Sequence, residues 1–402
     1  MEAITVPAYH AALRSLLEPN HPELWRWFAE SLQPSADDVA HAALGILKTS
    51  YRLDGDVHAA LAGLATVLAG RIGLDCDVVL YQALVDRPVS AGARNAQVVV
   101  LGDTAHLVFA GDMLALLDVA EQEAVLAHEL AHVWLQRTDG GAMRVLDQLV
   151  HRIDAESDES VLAETARRLR LHTEVFADRV AVEAITLDGM TEADAETTLV
   201  RALVKVHTGL QNVDAAAYLR QARQILESNV TVSEGWTHPE LHVRIACITA
   251  RRSASIDEVM HQLIDGADDL DRLDLLAQHR LQVLSARVLA GAVPKARVIV
   301  DTPDDDIDVH LAHLDSLDFD GATPLDDSEL LEGSASVRHL AAALILDIAM
   351  LLRRADADLD DLNLFTAEAH RIGVADQFDA LLARTQPSRK RNRSSQSTGA
   401  SS

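Results

Sequence analysis

The run Asp118–Arg137, DVAEQEAVLAHELAHVWLQR, decides the reading of the whole chain. Asp118 stands where a helix N-cap stands, and Glu121, three residues on, is its capping-box partner. Apolar residues then recur at helical spacing through Val125, Leu126, Val133 and Trp134, until Asp139-Gly140-Gly141 stops the helix. Inside it, residues 128–132 read His-Glu-Leu-Ala-His. Positions i and i+4 lie one turn apart on one face, so both imidazoles reach a single ion. Glu129 is turned about 100° away from His128 around the axis. It flanks such an ion without ligating it, which is where a general base belongs.

Spacing by itself carries little weight. With 18 histidines in 402 residues, a pair four apart arises about once by chance, and the chain has two, His128/His132 and His238/His242. Requiring a glutamate directly after the first histidine lowers that expectation to roughly a few hundredths. A merely structural helix that placed two histidines and a glutamate on its buried side would also leave their desolvation uncompensated. Zinc fits the donor types, but it needs a third protein ligand and an open position. The second long helical pattern, about 159–185, offers Glu174 and, one turn later, Asp178. Glu174 is expected to ligate, and Asp178 to accept the outer N–H of a ligand histidine and so fix its tautomer. One Zn2+ per chain is the cofactor expected.

Outside these helices, Asp77–Tyr81 (DVVLY), Gln97–Leu101 (QVVVL) and His106–Phe109 (HLVF) are short apolar runs bounded by turn residues. Gly102-Asp103 between the last two predicts a hairpin. Helical periodicity covers the first 90 or so residues, with Trp25, Trp27 and Phe28 expected to anchor it by packing, and returns over Thr198–Glu227 and from near Pro239. The class expected is mainly α with a small β-sheet, an α+β fold.

A chain of 402 residues reads as two or more domains. The formal charge of −27 repels phosphate backbones and anionic lipid surfaces, so nucleic acid is excluded as a partner. The two cysteines, Cys76 and Cys247, form neither a disulfide framework nor a metal motif. The start lacks the basic and apolar regions of a signal peptide, and no stretch reaches the roughly 20 apolar residues of a membrane span. A cytoplasmic protein is expected. The composition changes near residue 253. The divisions expected are 1–252, carrying every candidate ligand; 253–335, helical with the acidic loop Asp301–His310; a compact helical segment at 336–385; and a disordered tail at 386–402.

Three motifs together resemble a known family. Asn95–Val133, NAQVVVLGDTAHLVFAGDMLALLDVAEQEAVLAHELAHV, looks like the strand, hairpin and active helix of the HtpX and CAAX-prenyl-protease gluzincins. EVFADR (Glu174–Arg179) is similar to that family's next helix, and THPELHVRI (Thr237–Ile245) to a later element. The likeness spans about residues 40–250. It implies a mostly helical metallopeptidase whose small sheet binds the substrate as an added strand at its edge. It also implies that His238 sits near the zinc, either steadying the tetrahedral intermediate or occupying the open position at rest, with Arg244 as a polar support. Many members of that family are membrane proteins or exported; this chain shows neither property, so their membrane substrates do not carry over. Leu340–Leu382 resembles part of a TerB-like helical domain.

The function expected is a zinc metallopeptidase acting on a protein or peptide substrate with Glu129 as general base. The C-terminal helices would receive a protein partner. Two alternatives stay open: a zinc-bearing interaction or regulatory protein with little turnover, and a latent protease activated by a partner.

Overall fold

A computed structural model describes residues 4–84, 94–156, 160–186, 189–228, 232–250, 256–266, 270, 272–299, 322–326, 334–353 and 359–385. The acidic loop Asp301–His310 and the tail from residue 386 lie outside them. The chain divides into two compact units. The first holds Met1–Ala267 with Arg272–Leu276, and the second holds Asp268–Asp271 with Ala277–Ser402.

The first unit is mainly helical around a small mixed sheet, an α+β arrangement. Its strands are β1 (Ser50–Arg52), β2 (Asp77–Ala83), β3 (Asn95–Leu101) and β4 (Thr104–Ala110), in the order β1-β2-β4-β3. The expected hairpin is β3–β4, antiparallel, with Leu101 opposite Thr104. Gly102 turns between them at φ 57°, a left-handed conformation that glycine adopts without strain. β2 runs parallel to β4, and β1 closes the other edge antiparallel to β2. β1 was not expected, because three residues, Ser-Tyr-Arg, are too few to show alternation. Along β4, Ala105, Leu107 and Phe109 point into the core at period two.

The helices before the sheet are α1 (Ala8–Asn20), α2 (Pro22–Ser31), α3 (Ala36–Thr49) and α4 (Ala59–Ile72). After it come α5 (Met113–Leu116), α6 (Val119–Arg137), α7 (Ala142–Glu156), α8 (Ser160–Thr186), α9 (Glu192–Thr208), α10 (Ala215–Ser228), α11 (Leu241–Ala250) and α12 (Ile256–Met260). On α2, Trp25 and Phe28 are buried as expected, but Trp27 is 59% exposed. Residues 25 and 28 share a helix face, and 27 does not.

α6 is the central helix. Its capping box forms as read: Glu121 N–H donates to Asp118 Oδ1 at 2.9 Å, and Asp118 N–H donates to Glu121 Oε2 at 2.9 Å. Glu121 is also fully buried and paired with Lys205 of α9 at 2.7 Å and with Arg201, so the cap ties two helices together. Ala124, Leu126, Ala127, Leu130, Ala131 and Val133 are buried around almost the whole circumference. α4, α8 and α9 pack on α6, and the small alanines let them approach closely. A helix buried around most of its circumference leaves little water for its polar groups, so His128, Glu129 and His132 depend on partners inside.

The second unit includes most of α13 (Leu275–Ile299), with α14 (Ala335–Arg353), α15 (Leu359–Arg371) and α16 (Ala375–Thr385). Its core holds Ile345, Phe365 and Phe378. Glu368, buried, is held by Lys295 at 2.7 Å and by both arms of Arg371. Gly291 leaves room for it, since a Cβ there would stand 2.5 Å from Glu368 Oε1. Among the described residues no helix is long and apolar enough to cross a membrane.

Candidate metal centre

One turn of α6 separates His128 from His132. Their rings meet edge to face, 4.8 Å between centroids, and their Nε2 atoms are 3.2 Å apart. From α8, Glu174 reaches both histidines, with Oε2 3.6 Å from His128 Nε2 and Oε1 3.5 Å from His132 Nε2. Donors around a tetrahedral zinc, each at about 2.0–2.1 Å, stand about 3.3–3.4 Å from one another. The His128–His132 spacing is close to that figure, while the two Glu174 distances run to different carboxylate oxygens. These donors, mutually within 4.8 Å, are the one such group among the described residues that could hold a metal ion.

Two further observations fit a cation there. Glu174 Oε2 is buried and makes no hydrogen bond, with His128, His238 and Arg244 each standing off at 3.6 Å, so it has acceptor capacity left for a cation. Asp178, one turn along α8, accepts from His128 Nδ1 at 3.0 Å. That bond orients the ring with Nδ1 toward Asp178 and Nε2 toward Glu174 and His132, so that a metal replacing the Nε2 proton would meet a fixed donor. Asp178 is itself held by Arg244 of α11, whose Nε donates to Oδ2 at 2.8 Å and Nη2 to Oδ1 at 2.6 Å. Arg244 Nη1 also stands 3.6 Å from Glu174 Oε2.

Charge follows geometry. Burial opposes a proton on His128, but its hydrogen bond to Asp178 and the nearby Glu174 carboxylate raise its pKa to about 10. Burial would raise Glu174 and Asp178, yet His128 and His132 hold the first, and Arg244 the second, below the usual carboxylate range. His132 falls to about 4, chiefly by burial. Burial lifts the Glu129 carboxyl to about 7, with His128 and Arg244 opposing and Glu174 adding to the push.

The remaining expected residues fall around this group. His238 Nε2 is 3.6 Å from Glu174 Oε2, and the imidazole is half exposed, its Nδ1 2.9 Å from Thr237 Oγ1. It joins the cluster through Glu174, outside the set of mutually close donors. No family model, no curated protein and no solved structure matches the chain.

The sequence reading missed what holds α8 in place. Tyr9 of α1 stacks on His172 at 4.4 Å and donates to Asp274 Oδ2 at 2.7 Å, a bond between residues 265 apart in sequence. His172 Nε2 meets Asp265 Oδ1 at 2.8 Å, and His10 Nε2 meets Thr173 Oγ1 at 2.9 Å. Both residues immediately before Glu174 are thus gripped by other elements. Nothing local announces such pairs. One signal was available: Glu164, Arg167, Glu174 and Asp178 fall at i, i+3, i+10 and i+14, a charged stripe along one face of the helix.

Proposed function

We propose that the chain is a zinc-dependent peptidase of gluzincin type, with His128, His132 and Glu174 as metal ligands and Glu129 as general base. The observation that carries this reading is the His128, His132 and Glu174 group, whose donor atoms lie within 4.8 Å of one another, flanked by a buried glutamate outside it. Zinc held there would polarise a carbonyl and lower the pKa of a coordinated water to about 7. The chain supplies the rest. Asp178 and Arg244 hold His128 and Glu174 in register, so the site is organised before substrate arrives. Glu129, buried beside them, is placed to hold a proton and pass it to a leaving amine. A divalent cation opposes the upward push of burial on Glu129 and favours its charged, base-competent form.

The order of HELAH, EVFADR and THPELHVRI supports the same class, because the three meet at one point in space. A generic unfolded protein should be cleaved by the zinc-loaded chain, the activity should vanish with a chelator, and stoichiometric zinc should restore it. Cleavage unaffected by chelation would sink the proposal.

His238 belongs to this reading as a transition-state support. It is half exposed, it approaches Glu174, and burial lowers its pKa, so it meets a substrate as a neutral imidazole. His238→Ala is expected to keep zinc and lower kcat by about 10²–10³, the usual effect of losing one such donor. A gain in activity would instead make His238 a plug of the open position, and the resting form latent.

A further inference from the structure

The loop that carries His238 is held from α8. Arg167, buried on the polar stripe, forms a bidentate pair with Glu164 in which both bonds are 2.7 Å. Its remaining arm reaches out, Nη1 donating to the carbonyls of Ser233 at 2.9 Å and Gly235 at 3.3 Å. Glu240 closes the loop from the other end. It accepts from Ser233 Oγ at 2.6 Å and from Glu234 N–H at 3.0 Å. Ser233 is buried, and its N–H donates to Leu263 O at 2.7 Å, so the start of the loop is fixed on all sides.

Gly235 makes the tight return possible. A Cβ built there would collide with the carbonyl oxygen of His238 and crowd Pro239. Its φ is not left-handed, so the requirement is space alone. The obstacle is backbone, which has no rotamer to move away.

Arg167 and Glu174 are seven residues apart, two turns of one helix and about 10 Å along its axis. A single rigid element therefore carries the third metal donor and the anchor of the loop bearing His238. We propose that Arg167, oriented by Glu164, and Gly235 are positioning residues. They fix Ser233–Pro239 so that the His238 imidazole stands against Glu174. The proposal rests on the role given to His238 above. It adds that this role is set by α8 and not by the loop's own preference.

Gly235→Ala and Arg167→Met test it in the full chain loaded with zinc. Both variants are expected to keep one zinc per chain, because neither residue touches a donor. Carbethoxylation of His238 by diethyl pyrocarbonate, followed by mass spectrometry, should be several-fold faster once the loop is released. Turnover should show the same origin: kcat falls, KM holds, and Gly235→Ala combined with His238→Ala is no worse than His238→Ala alone. Unchanged labelling of His238 in Gly235→Ala overturns the proposal, and so do additive losses in the double variant. Should Arg167→Met fail to fold, Gly235→Ala alone decides, since it alters no buried charge. Labelling needs no turnover, so an inactive wild-type chain would remove the peptidase reading and leave the positioning claim decided by this arm.

Discussion

Glu129→Gln is expected to keep its fold and one zinc per chain while losing turnover by a factor of at least about 10². The substitution is nearly isosteric and lies outside the donor triangle, so no ligand is disturbed. It removes the only function the glutamate has in the proposed chemistry, proton transfer. Glu129 is buried, and its carboxyl is pushed up to about 7 by that burial. Holding such a group inside an apolar helix costs stability, and Gln relieves the cost. The amide variant should therefore melt at the same temperature as the parent, or slightly higher. Loss of activity with gain of stability separates a functional residue from a structural one. A zinc-bearing interaction protein has no use for that base. Equal activity in Glu129→Gln would favour it over a peptidase.

The parts of this molecule legible in the sequence are those written locally. The capping box at Asp118/Glu121, the His-Glu-Leu-Ala-His face and the Gly102-Asp103 hairpin are each encoded within a few residues, and each forms at its expected position. Glu174 and Asp178 required one further step: a metal with two histidines needs a third donor, and α8 offered a carboxylate with another one turn later. Contacts between distant segments were not legible. Tyr9 with Asp274, His10 with Thr173 and Arg167 with Ser233 join residues whose spacing follows no period. The parallel pairing of β2 with β4 is of the same kind, since the two runs look alike whichever neighbour they take. Trp27 shows the limit from the other side. An aromatic cluster was read as one anchor, but helical phase splits it into two buried rings and one exposed.

Glu174→Ala and Arg244→Met are expected to act in different ways on the same cluster. Without zinc, Glu174→Ala removes a carboxylate that His128, His132 and Arg244 favour from 3.5–3.6 Å but that makes no direct hydrogen bond through Oε2. Its zinc-free stability should fall, but by less than that of Arg244→Met, which breaks direct hydrogen-bonded ion pairs. What it loses altogether is the metal. Stabilisation by a ligand grows with its occupancy, about 2.7 kcal/mol at a concentration one hundred times Kd. The parent should thus melt higher as zinc is added, and Glu174→Ala should not respond. Arg244→Met leaves Asp178 buried with His128 alone as partner. Breaking a buried, hydrogen-bonded ion pair from one side costs about 3–5 kcal/mol, with or without metal. Melting curves with and without zinc, beside zinc content by mass spectrometry, distinguish the two. Stoichiometric zinc in Glu174→Ala would show that the third ligand lies elsewhere. An Arg244→Met chain as stable as the parent would show that Asp178 needs no counter-charge, and that the bond to His128 is enough to hold the site.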